Sequence, residues 1–215
     1  MMKLYYLPDT ASLAPHIILK RLGVNAELIE MNKNDGGLMD EKYLKLNPNC
    51  RVPTLVNGDL VLFESAAICL HLADSDPDSG LMPPLGSNKR AMAYKWLIFM
   101  TNSIQADMML YFYGERFCKS ESAAAEVREV GIERVKTFMS RIDDALSDGR
   151  PFLSGSAKTI VEDYLLILGR WFMQMGQKDA LQDMAHLYAL LCVLEDDLCV
   201  KAAYEVEGCK ALFVD

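Results

Sequence analysis

The sequence predicts an α+β first part followed by an all-α second part, and three observations carry that prediction. Short apolar runs of strand length alternate with helical spacing as far as residue 73. Residues 74–88 are dense in Asp, Pro, Ser and Gly, the composition of a linker. Beyond them the apolar spacing is helical throughout.

Each element follows from its own residues. Lys3-Leu-Tyr-Tyr-Leu7 reads as a short strand that Pro8-Asp9 ends. From Ser12 to Leu22 the apolar residues fall at 13, 17, 18 and 22, a helical spacing, and Gly23 suits the residue after its end. Residues 26–31 make a second strand, and the Asp35-Gly36-Gly37 turn leads through a polar segment to a loop at Leu46-Asn47-Pro48. Thr54–Val56 and Leu60–Leu62 flank Asn57-Gly58-Asp59, a hairpin signal because such a turn needs positive φ. Ser65 to Ala73 reads as a helix, which gives the order β-α-β-(α)-β-β-α.

In the second part, 89–117 and 122–147 each read as one long helix, the latter with Val127, Val135, Phe138, Ile142 and Leu146 on one face. Gly149-Arg150-Pro151 stops it. Thr159-Ile-Val-Glu162 is a capping box ahead of an apolar run, its hydroxyl and carboxylate each satisfying an otherwise orphaned amide. Two more helices fill 180–206. The expected division is a mixed domain over 1–76, a linker over 77–88 and an all-α domain over 89–215.

Composition narrows the function. A net charge of −8 on 215 residues repels phosphate backbones and argues against a nucleic-acid partner. No basic amphipathic segment, signal peptide or run of about 18 apolar residues argues for a membrane, so a cytoplasmic protein is expected. Cys50, Cys69, Cys118, Cys192, Cys199 and Cys209 form no Cys-x-x-Cys pair, which suits reduced thiols. His16, His71 and His186 have no metal-ligand spacing, and no metal or tightly held cofactor is expected.

The most informative residues are Arg51-Val52-Pro53-Thr54 and, after the hairpin, Glu64-Ser65. A proline after a β-branched residue, just before a strand, marks a deliberately shaped backbone. A carboxylate and a hydroxyl then meet where a helix begins. Together they suit an extended peptide with a free amino-acid end.

With these residues, the β-α-β-α-β-β-α order and an all-helical second half, the chain resembles the cytosolic glutathione S-transferases over its whole length. Lys3-Leu-Tyr-Tyr6-Leu-Pro8, Ser12-Leu-Ala-Pro-His16, Asn47-Pro48, Thr159 to Tyr164 and Arg170-Trp171 are most similar to the bacterial beta class. The resemblance implies a thioredoxin-like first domain in which Pro53 follows a cis bond. The Val52 backbone would pair with the cysteinyl unit of glutathione like an added strand. Glu64 would take the α-amino group, and Ser65 the γ-glutamyl carboxylate at a helix N-terminus. Arg51 would reach the glycyl carboxylate, with Lys33 as the alternative.

Conjugation needs the thiolate, because a thiol with a pKa near about 8.5 is mostly protonated at neutral pH. The beta class places a cysteine where this chain has Ala11. Ser12 is therefore the expected hydroxyl donor, with Tyr6 as the first alternative and Thr10 or a water after it; Thr10 is also able to share in capping the helix. Aligning on Trp96-Leu97, positions that are Asn, His and Lys in the beta class are Ile98, Gln105 and Ala106 here. Gln105, Met108, Met109 and Phe112 are the candidates to line an apolar pocket. The expected protein is a homodimeric transferase joining glutathione to small hydrophobic electrophiles in detoxification. The alternatives are a glutathione-dependent disulfide reductase or peroxidase, and a non-catalytic binding module.

Overall fold

The computed structural model describes residues 1–32 and 36–214, and the chain divides into two compact units. Unit 1 comprises Met1–Met82 and Asp196–Ala211; unit 2 comprises Pro83–Glu195 and the chain from Leu212 on. Unit 1 contains β1 (Lys3–Tyr6), α1 (Leu13–Arg21), β2 (Glu27–Glu30), α2 (Glu41–Leu44), β3 (Thr54–Asn57), β4 (Leu60–Phe63) and α3 (Ser65–Ser75). Unit 2 contains α4 (Asn88–Phe99), α5 (Ala106–Phe112), α6 (Glu121–Leu146), α7 (Ile160–Gln174), α8 (Lys178–Asp183) and α9 (Ala185–Glu195), and α10 (Leu198–Glu207) then returns to unit 1.

The sheet order is β2-β1-β3-β4, with β1 parallel to β2 and antiparallel to β3. Gly58, at φ 59°, closes the predicted hairpin between β3 and β4. Leu4 pairs with Leu28 on one side and Leu55 on the other. Side chains alternate along β1 with period two. Tyr5 joins Tyr43 of α2, Ile29, Met31 and Leu7 in one apolar cluster. Leu4 and Tyr6 project to the opposite face, where Tyr6 stands against His16 of α1. Leu13, Ile17 and Ile18 of α1 and Ile68 and Leu72 of α3 are fully buried.

The architecture is the α+β and all-α combination that the sequence predicts, with three differences of detail. The helix expected over 89–117 is interrupted: α4 ends at Phe99, a π-helical turn spans Met100–Gln105, and α5 stops before Gly114. The Thr101 hydroxyl bonds back to the Ile98 carbonyl at 3.0 Å, a side-chain competitor for the helical ladder. The two helices expected over 180–206 are three, broken at Met184 and at Asp196-Asp197. Asp197 caps α10 by accepting the Cys199 and Val200 amides.

The third difference concerns the division of the chain. Residues 196–211 belong with unit 1, not with the all-α domain expected over 89–215. The cause is polar as well as apolar. Both oxygens of Asp197 accept from Arg21 at 3.0 Å, and Glu207 meets His16 at 2.8 Å, so α10 is fastened to both ends of α1. In unit 2 the capping box forms as predicted, with the Thr159 amide donating to Glu162 Oε2 at 2.7 Å. No described helix is long and apolar enough to cross a membrane.

Candidate functional site

The loop that leads into β3 is built on two buried side chains, Tyr43 and Asn47. The Tyr43 hydroxyl donates to the Arg51 carbonyl at 2.6 Å, and the Asn47 side-chain amide donates to the same carbonyl at 2.8 Å. Both also meet the buried Thr54 hydroxyl, at 3.0 and 3.2 Å. Burial raises the Tyr43 phenol above its ordinary pKa, which keeps it a donor. This clamp fixes the backbone on either side of Val52 and Pro53. The Val52–Pro53 peptide bond is cis. Among the described residues, neither the amide nor the carbonyl of Val52 has a hydrogen-bond partner. Arg51 is exposed and forms no ion pair among them. Lys33 lies outside the described residues.

At the head of α3, Glu64 adopts φ 73° and ψ 111°, a left-handed conformation that L-residues rarely take. Backbone held there in a non-glycine residue costs on the order of 1–3 kcal/mol and clusters at functional sites. Its carboxylate is exposed and does not cap the helix. Ser65 is the first residue of α3 and is buried, and its hydroxyl has no partner among the described residues. The free amides and dipole of the first helical turn favour a carboxylate there.

The loop between β1 and α1 carries the expected hydroxyl donors, and the structure places them differently from one another. Ser12 is fully buried. Its hydroxyl accepts the Leu7 amide at 3.2 Å and donates to the Leu7 carbonyl at 3.0 Å. Nor does it cap α1. Tyr6 is buried on the α1 face of the sheet, its hydroxyl donating to Glu30 at 3.4 Å. Burial, then the carboxylates of Glu30 and Glu207, raise its pKa. Thr10 is half-buried, and its hydroxyl lies 2.7 Å from the Leu7 carbonyl and 2.9 Å from Ser12 Oγ. The preceding residue, Asp9, has φ 54°, and its amide donates to Glu207 Oε2 at 3.1 Å. Ala11 brings no functional group.

In unit 2, Gln105 ends the π-helical turn, and its carbonyl oxygen accepts the Tyr164 hydroxyl of α7. About two turns further along, Phe112 meets Trp171 edge to face, 6.2 Å between centroids. Met109 and Phe112 are half-buried and suited to line a cavity; Met108 is fully buried in the core of the unit. Cys50 stands beside Arg51 at φ 53°, its thiol directed at the Pro48 carbonyl. No group of three or more metal-ligating side chains occurs among the described residues.

Tyr43, Asn47 and Glu207 are the residues that sequence reasoning missed. Asn47-Pro48 is visible as a turn, but only the fold brings the Asn47 side chain onto the Arg51 carbonyl. Nothing in the spacing of Glu207 points to Asp9, 198 residues away.

A mixed four-stranded sheet with a cis-proline loop before its third strand is a thioredoxin-like unit, and an all-α unit follows it here. Residues 1–74 match the family described as glutathione S-transferase, N-terminal domain. The chain is 30% identical to a glutathione transferase of Methylococcus capsulatus strain Bath of known crystal structure, covering 97% of this chain and 99% of that one with a TM-score of 0.85. It is 29% identical to glutathione S-transferase GST-4.5 of Xanthomonas campestris pathovar campestris, over 96% of this chain and 99% of the relative. A sphingomonad glutathione S-transferase, whose structure is complexed with glutathione, is 28% identical over 96% of this chain and 98% of its own, with a TM-score of 0.83. The chain belongs to the glutathione S-transferase family, in its bacterial form.

Proposed function

We propose that this chain is a glutathione transferase that adds the glutathione thiolate to small hydrophobic electrophiles. The observation that carries this reading is the head of α3, where Glu64 at positive φ stands beside Ser65, a buried residue whose hydroxyl has no partner among the described residues. Glu64 takes the α-amino group of glutathione. Ser65 and the first turn of α3 take the γ-glutamyl carboxylate. The unpaired Val52 backbone, followed by Pro53, receives the cysteinyl unit, and Arg51 receives the glycyl carboxylate. Full-length relatives named glutathione S-transferases, one of them with glutathione bound, support the same reading.

Catalysis comes from binding, orientation and stabilisation of the thiolate, with no covalent intermediate on the protein. Gln105, Met109 and Phe112 of unit 2 are the candidates to line an apolar pocket for the electrophile; Met108 is fully buried. The protein works as a cytoplasmic homodimer in detoxification, as the family resemblance implies, and its charge of −8 supports small-molecule rather than nucleic-acid partners.

Titration calorimetry with millimolar glutathione, followed by a conjugation assay with a generic aryl halide, tests the proposal. Binding and turnover are expected. Absence of binding overturns it, and binding with turnover only of a glutathione-linked disulfide would transfer the site to reductase chemistry.

A further inference from the structure

Three hydroxyls lie near the start of α1, and their surroundings rank them. Ser12 has no exposed surface, and both sides of its hydroxyl are already used by the Leu7 backbone. A ligand sulfur cannot touch it unless the loop opens. Tyr6 donates toward Glu30 and stands in the field of Glu30 and Glu207, so a second anion beside it would be repelled. Thr10 alone of the three is partly exposed.

We infer that Thr10 is the catalytic hydroxyl that donates to the glutathione thiolate, and that Ser12 is a positioning residue behind it. This rests on the glutathione-transferase reading. The Leu7 carbonyl lies within reach of two hydroxyls, Thr10 at 2.7 Å and Ser12 at 3.0 Å, and can accept from either. When Thr10 turns its proton to a thiolate, the Leu7 carbonyl keeps the Ser12 bond. No buried acceptor is orphaned, so the roughly 1–3 kcal/mol that an unsatisfied group would cost is not incurred. The switch requires only rotation of one O–H.

The rest of the loop holds Thr10 in place for this. Asp9, immediately before it, is fixed at φ 54° with its amide on Glu207. The branched Thr10 side chain has few χ1 choices, and its hydroxyl stays within reach of the Leu7 carbonyl in the one it adopts. Ala11 leaves the neighbouring position without a competing nucleophile. Thr10 keeps its own proton throughout. The proton lost by the glutathione thiol goes to solvent.

The test is the pKa of the bound thiol, read from thiolate absorbance against pH, alongside calorimetric glutathione binding. Thr10→Val should raise that pKa by about one unit, leaving roughly tenfold less thiolate at neutral pH, with glutathione affinity nearly unchanged. Thr10→Ser should restore the wild-type value, and Thr10→Ala should reproduce the valine result. Ser12→Ala should move the pKa less than Thr10→Val does. An unshifted pKa in both Thr10→Val and Thr10→Ala, with binding intact, overturns the assignment, as does a larger shift in Ser12→Ala. Failure of the wild-type protein to bind glutathione would instead overturn the reading on which the assignment rests.

Discussion

Oε1 of Glu207 lies 2.8 Å from Nδ1 of His16, 191 positions away in the chain, and neither side chain meets solvent. The other oxygen of Glu207 accepts the Asp9 amide. One carboxylate therefore holds both the first turn of α1 and the loop that precedes it. Removing the carboxylate takes an acceptor from the buried His16 ring and from the Asp9 amide, and a buried group left unsatisfied costs about 1–3 kcal/mol. Glu207→Ala should lose about that much, measured by urea denaturation. Glu207→Gln, which still offers an acceptor to Asp9, should lose clearly less.

Glu64 sets stability against binding. Its φ of 73° is strained for any side chain, and glycine accepts it freely. Glu64→Gly should leave the free protein at least as stable as wild type, with up to about 1 kcal/mol of gain. The same variant should weaken glutathione binding at least tenfold. Glu64→Ala should lose the binding without gaining the stability. Thermal melts paired with calorimetry would reveal this opposition, and a glycine variant that melts several degrees lower would refute it.

Glu162 gives a pH dependence whose sign is fixed. Burial raises its carboxyl from 4.5 to about 7, despite the bonds from Thr159 that favour the ionised form, and Oε1 has no partner among the described residues. The native state therefore holds a proton that the unfolded chain has released. Stability should fall as pH rises from about 4.5 through 7 and then level off, by on the order of 3 kcal/mol from this group. Glu162→Gln still accepts from the Thr159 amide and carries no charge. It should flatten the dependence over that interval, as denaturation at pH 5, 6, 7 and 8 would show.

Two helical glycines should respond differently to alanine. A Cβ at Gly131 of α6 would lie 2.9 Å from Leu110 Cβ and 3.2 Å from backbone atoms of Asp107 and Tyr111. The nearest atoms to a Cβ at Gly169 of α7 are all in the Leu191 side chain, both methyls at 2.8 Å and Cγ at 3.4 Å, with no backbone among them. Helix propensity favours alanine by about 1 kcal/mol at both. Gly131→Ala should nonetheless destabilise by about 1–3 kcal/mol, since α5 and α6 must separate, whereas Gly169→Ala should be near neutral once Leu191 changes rotamer. Equal effects at the two positions in urea denaturation would contradict this.

What the sequence reveals and conceals divides along physical lines. Asn57-Gly58-Asp59 and Thr159–Glu162 are local signals, since each fixes its own backbone within four residues, and both appear as read. The Val52-Pro53 and Glu64-Ser65 pairs are legible because their residue types are unusual for their positions. Ser12 illustrates the limit. A serine at a helix start looks available, yet its burial depends on Leu7 and on how α1 docks, which no spacing encodes. Likewise the break after Phe99 does not show in the periodicity, because a π-helical turn shifts the apolar pattern without any proline or glycine to mark it. The attachment of α10 to α1 depends on side-chain hydrogen bonds between residues far apart, Arg21 with Asp197 and His16 with Glu207, and these have no local signature.

The return of Asp196–Ala211 to unit 1 makes the chain a loop rather than two beads on a string. A fragment cut after Met82 would contain every described strand of the sheet, yet it would leave the His16 ring and the Asp9 amide without the Glu207 carboxylate. Such a fragment is expected to be soluble only when the missing helix is supplied as a separate peptide. Inserting a reporter or a protease site near residue 83 therefore nicks the protein without freeing either piece. Split-protein designs on this scaffold should place their break there and rely on α10 as the built-in clasp.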